Sequence, residues 1–247
     1  MKVISVPRIN ALGKKGPENA PEKILGELGI DAEKVLVGNE DISADEKEIY
    51  SVAKKVFNEG AVFIGGDHSI TYPIFKAFNE ENKDAFLIVF DAHADCMPPM
   101  KESTHEEWLR AVVEGGFDPA KIILIGARKI EQKEKEFLSE KKIKVFSEIS
   151  DLESVGNYII EKVKRQNVYV SVDVDVLDLK FAQGVNYPEP KGLSLEELFY
   201  LLKRIFSLKN LKVLDVVEVV PEKDEKSNYQ TVKIAARIVQ DFIDSKI

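Results

Sequence analysis

A chain of 247 residues with 44% hydrophobic content can bury one large core, and α/β domains reach this length, so residues 1–247 are expected to form a single domain. The formal net charge of −8 argues against nucleic acid as a partner, because a nucleic-acid surface shows a clustered basic excess. The single cysteine, Cys96, closes no internal disulfide, the apolar opening of residues 1–7 is too short for a signal peptide, and no later run reaches membrane-spanning length; a cytoplasmic protein without a membrane partner is expected.

Taken in chain order, short β-branched apolar runs at 2–6, 34–37, 61–64, 85–90, 121–125, 143–146, 168–172 and 211–217 read as strands. Longer amphipathic segments at 44–58, 70–80, 104–114, 131–140, 151–165, 194–206 and 227–243 read as helices. Ser194-Leu195-Glu196-Glu197 is a capping box, and Asp151 and Ser227 are residue types that open helices. Alternation of this kind predicts an α/β fold: a three-layer α/β/α arrangement with a mostly parallel central sheet. Such sheets collect ligands at the carboxyl ends of their strands. The long irregular stretch 176–192 is expected to fold over that end as a functional loop.

Chemistry-bearing residues fall at those ends. Asp91-Ala92-His93-Ala94-Asp95 follows an apolar run with ligand types at alternate positions, and in an extended strand alternate side chains share a face, so Asp91, His93 and Asp95 are expected to converge. Asp173 and Asp175 repeat the spacing after 168–172. Two carboxylates facing one way inside a buried sheet repel unless metal or protons neutralise them. A third run leads into Gly65-Gly66-Asp67-His68-Ser69, which alone reads equally as a glycine turn with a helix cap. Carboxylate oxygens mixed with imidazole suit a first-row divalent ion such as manganese, and four aspartates balance two such ions.

These motifs, in this order, resemble the signatures of the ureohydrolases, the family of arginase, agmatinase, guanidinobutyrase and formiminoglutamase, and the similarity spans nearly the whole chain. It implies an arginase-like fold with two Mn2+ per subunit. His68, Asp91, Asp95 and Asp173 would hold one ion, and His93, Asp91, Asp173 and Asp175 the other, with a bridging hydroxide. It also implies that His105 shuttles protons, that Glu218 receives the substrate guanidinium, and that the protein assembles as a homotrimer or hexamer. The expected reaction is hydrolysis of a guanidino compound to urea and an amine.

The chain departs from the family at Leu179, Gln183, Val185, Asn186 and Tyr187, where a Pro- and Gly/Thr-rich loop is usual, and at Val220 in place of an Asn. The polar loop with which arginases read the amino-acid head group is largely replaced by Cys96-Met97-Pro98-Pro99-Met100. Agmatine or a related aminoalkylguanidine is therefore the expected substrate, with Lys101 and Ser103 as the residues able to reverse that preference. Alternatives are arginine hydrolysis, a formiminoglutamase- or guanidinobutyrase-type reaction, and a non-catalytic metal-binding relative. A two-metal phosphoesterase fits less well, since no Arg or Gly-rich phosphate cradle adjoins the ligands.

Overall fold

Eight short segments pair side by side into one sheet in the computed structural model, which describes residues 1–10, 14–100 and 103–246. The strands are β1 (Lys2–Val6), β2 (Glu33–Lys34), β3 (Ala61–Gly65), β4 (Phe86–Phe90), β5 (Ile122–Ile125), β6 (Lys144–Phe146), β7 (Val168–Asp173) and β8 (Leu211–Val217). The helices are α1 (Ala20–Leu28), α2 (Ile42–Ala53), α3 (Thr71–Glu81), α4 (Trp108–Glu114), α5 (Gln132–Lys141), α6 (Leu152–Val163), α7 (Leu195–Phe206), α8 (Pro221–Asp224) and α9 (Gln230–Asp244). Strand order is β2-β1-β3-β8-β7-β4-β5-β6, and the pairings are parallel throughout.

The three layers follow from two-sided burial. Along β4, Phe86, Ile88 and Phe90 join one core with residues of α1, α6, α7 and α9, while Leu87 and Val89 join a second core with α2, α3, α4 and α5. A strand with apolar side chains on both faces is stable only with helices above and below. No described helix is long and apolar enough to cross a membrane.

Several boundaries differ from the sequence reading. The sequence pattern assigns no helix to α1. Proline is tolerated in the first helical turn, and Gly29, at φ 65°, ends the helix in the left-handed conformation. The helix predicted from residue 104 starts at Trp108, because Glu107 accepts from both the backbone N–H and the hydroxyl of Thr104 and locks a turn ahead of it. The last helix is preceded by a left-handed Tyr229, not capped by Ser227. The capping box at Ser194 and the cap at Asp151 form as expected.

Phe90 pairs with Val172, and Val172 and Ile64 both pair with Val216, so β3, β8, β7 and β4 end nearly level. The segments carrying His68, Glu218, Asp173 and Asp91 thus leave the sheet side by side.

Candidate active site and metal centre

The convergence of Asp91, His93 and Asp95 does not arise from strand alternation. Strand β4 stops at Phe90, the Asp91 carboxylate accepts the His93 backbone N–H at 2.6 Å, and Asp95 takes a left-handed φ of 47°. A side-chain hydrogen bond of this kind ends the ladder and starts a turn. Asp173 does the same one strand away, accepting from the Asp175 backbone N–H at 2.8 Å where a 3-10 turn begins. Asp175 in turn accepts from the Ala92 backbone at 3.0 Å and ties the two turns together.

The six expected ligands meet as two adjoining clusters. His68 Nδ1 lies 3.0 Å from Asp95, 3.1 Å from Asp91 and 3.5 Å from Asp173. His93 Nδ1 lies 2.9 Å from Asp175 and 3.5 Å from Asp91. Asp91 presents Oδ2 to His68 and Oδ1 to His93, so it stands between the clusters. Within each of the sets His68/Asp91/Asp173 and Asp91/His93/Asp175 the candidate ligand atoms lie within 4.8 Å of one another, close enough for each set to hold a metal ion.

Hydrogen bonding decides the tautomer of His68. Its Nε2 is 2.9 Å from Ser171 Oγ, and that hydroxyl stands 2.6 Å from Asp215 Oδ1. Asp215 is buried, and its carboxylate also accepts from Thr71 at 2.9 Å and Tyr169 at 2.5 Å. A serine hydroxyl has one proton, and the carboxylate takes it, so Ser171 accepts from His68 Nε2–H. In the neutral ring Nδ1 then carries the lone pair, and it faces three carboxylates. His68 Nδ1 and Asp91 Oδ2 are both buried without a hydrogen-bond partner among the described residues. Lone pairs aimed at one another in a buried site call for a cation between them.

The charge balance agrees. Burial disfavours charge on both histidines, yet Asp173, Asp91 and Asp95 raise the His68 pKa, and Asp175 and Asp91 raise that of His93, well above the ordinary imidazole range. Asp173 is pushed well up by burial and then by Asp175 and Asp91; Asp95 is pushed up by burial and Asp91. Carboxylates in this arrangement take up protons or divalent ions, and the imidazole and carboxylate donors fit such an ion.

Glu218 and His105 line a cavity of about 230 Å³ together with His93, Asp95, Asp173 and Asp175. Glu218 directly follows β8, is buried, and holds a left-handed φ of 67°, a costly conformation for a side chain of this size. Its backbone N–H donates to Gly66 O at 2.9 Å, and its Oε1 accepts the His68 backbone N–H at 2.8 Å. Burial, and next the charge of Asp67, raise its pKa well above the ordinary carboxyl value. His105 is buried, with Nδ1 2.9 Å from Asn10 Nδ2 and its ring stacked on Tyr187 at 5.8 Å. An amide nitrogen only donates, so Nδ1 accepts and the ring proton sits on Nε2. Met97 and Tyr187 also line the cavity. Lys101 lies outside the described residues.

Four supporting residues carried no functional assignment in the sequence reading. Trp108 donates from Nε1 to Asp95 Oδ2 at 2.8 Å and packs its ring 4.7 Å from that of His68. Ser171 sits two residues before Asp173, a spacing that places both on one strand face and was a usable signal. Asp215 and Asn10 had none, because their partners are distant in sequence.

A model of the arginase family matches residues 11–244. The chain is 32% identical over 184 residues to N(1)-aminopropylagmatine ureohydrolase of Synechocystis, across 72% of this chain and 59% of that protein. It is 29% identical over 246 residues to arginase 2, chloroplastic/mitochondrial, of Arabidopsis thaliana, across 94% and 69%. The solved structure of proclavaminate amidino hydrolase from Streptomyces clavuligerus superposes with a TM-score of 0.89 at 25% identity, covering 99% of this chain and 90% of that one.

Proposed function

The chain belongs to the arginase family, and from that premise we propose that it is a binuclear manganese hydrolase that cleaves a guanidino substrate to urea and an amine. In this reading His68, Asp91, Asp95 and Asp173 hold one ion, and His93, Asp91, Asp173 and Asp175 the other. Two divalent ions would supply a water acidic enough to act as hydroxide near neutral pH. The chain's own groups do the rest. The Glu218 carboxylate receives the guanidinium and orients its carbon toward the clusters. His105 gives a proton to the amine as the carbon–nitrogen bond breaks. The observation that carries this reading is that Glu218 and His105 line one cavity with His93, Asp95, Asp173 and Asp175, since metal binding alone requires neither.

Within that class we favour agmatine or a related aminoalkylguanidine. Met97 on the cavity wall, followed by Pro98 and Pro99, offers no donor to an amino-acid carboxylate. A buried acceptor left without partners costs about 1–3 kcal/mol. A second reading, a guanidino acid such as arginine, is favoured by Lys129 on the same wall, but that ammonium is paired with Glu131 at 3.2 Å. The test is urea release by manganese-loaded protein across a panel of guanidino compounds. A higher kcat/KM for agmatine than for arginine is expected; an equal or reversed ratio removes the agmatine assignment, and no urea from any compound removes the enzymatic reading.

A further inference from the structure

Arg128 leaves β5 beside the site, yet no step of the proposed reaction uses it. Its backbone N–H and that of Lys129 both donate to Ala92 O at 2.9 Å, the carbonyl between Asp91 and His93. Its half-buried guanidinium has no carboxylate within ion-pair distance among the described residues and is satisfied by main-chain carbonyls instead. Nε donates to Pro190 O at 2.9 Å. Nη1 lies 3.2 Å from Gly126 O and 3.1 Å from Val176 O, and Nη2 lies 3.0 Å from Asp175 O, 3.2 Å from Leu177 O and 2.8 Å from Glu189 O.

Apart from that of Gly126, just before Arg128 in the chain, those carbonyls belong to two segments. One is residues 175–177, in and just after the 3-10 turn that Asp173 caps. The other is the stretch of residues 189–190 that follows Tyr187 and puts Glu189 Oε1 3.9 Å from His93 Nε2. A Cβ on Gly192 would lie 2.6 Å from Nη2, so this glycine leaves the guanidinium its space. A planar fork with five N–H groups reaches carbonyls on both sides, whereas a lysine ammonium offers three donors from one atom.

We propose that Arg128 is a positioning residue that holds Asp175, His93 and the Tyr187–Glu189 wall of the cavity in one arrangement. It acts selectively on the ion site formed by His93 and Asp175. The inference rests on the reading of the two clusters as metal sites. The His68 cluster lies outside its reach, being held by Ser171, Asp215 and Trp108.

The test is manganese binding to wild-type protein and to Arg128→Lys, Arg128→Gln and Arg128→Met, followed by equilibrium dialysis with elemental analysis, with circular dichroism confirming the fold. In the variants one of two ions should bind about 10- to 100-fold more weakly, the range for a lost partner of a metal ligand, while the other titrates as in the wild type. At saturating manganese kcat should return toward the wild-type value while KM stays raised, because the wall remains loosened. Variants that bind both ions like a two-ion wild type overturn the role of Arg128 alone. Equal weakening of both ions, or failure of all three variants to fold at saturating manganese, overturns it too, since either means a general structural role. A wild type that takes up fewer than two ions overturns the metal reading and this proposal with it.

Discussion

Ser171→Ala isolates the argument that the tautomer of His68 is set from behind. The substitution removes one oxygen that stands 2.9 Å from His68 Nε2 and 2.6 Å from Asp215 Oδ1. His68 Nε2–H loses its buried acceptor, while Asp215 keeps the hydroxyls of Thr71 and Tyr169. An unsatisfied buried donor costs about 1–3 kcal/mol, which a domain stable by about 5–15 kcal/mol survives. The ring escapes part of that cost by turning or by moving its proton to Nδ1, and either change removes the lone pair from the cluster. Metal affinity should therefore fall about 10- to 100-fold, or roughly 1.4–2.7 kcal/mol. Asp215→Asn should be worse, because its amide nitrogen would face a hydroxyl that now donates to a carboxylate. The assay is manganese titration followed by the metal-dependent rise in melting temperature. Weakening of less than about threefold in Ser171→Ala would refute the argument, since loss of such a partner costs tenfold or more.

His105→Ala should lower turnover about a hundredfold, the usual scale for a lost proton-transfer group, with manganese content unchanged by elemental analysis. Loss of metal in that variant would place His105 among the ligands, and an unchanged rate would remove it from the reaction. Chelation should lower the melting temperature, because binding to the native state adds to folding stability. The metal-free chain should also lose stability as pH rises. Asp173 and Glu218 have raised folded-state carboxyl pKa values, and His68 is raised above the imidazole range. The native state thus binds more protons than the unfolded chain from the ordinary carboxyl range upward, so its stability falls with pH there, and manganese in place of those protons should stabilise more at alkaline than at acidic pH. Melting curves with and without manganese across that range check the sign. Gly66→Ala should cost about 1–3 kcal/mol or more by denaturant titration, because overpacking forces backbone shifts: its Cβ would lie 1.9 Å from Arg8 O.

The layer architecture and the residues that meet at the strand ends were legible in the sequence. A run such as 85–90 is apolar on both faces, and burial on both faces leaves few arrangements besides a parallel sheet between helices. The residues that follow such runs are acids and histidines, whose chemistry is local and legible. The order of the strands was not. Glu218 reaches the clusters because β8 lies between β3 and β7, although it is 150 residues from His68. Asn10 meets His105 across 95 residues, and Ser171 meets Asp215 because those positions are paired neighbours on β7 and β8. A polar residue in a strand has no periodicity of its own, and its role depends on what faces it across the sheet. Parallel pairing sets that register between segments far apart in the chain, so these partnerships were decided by the tertiary structure alone.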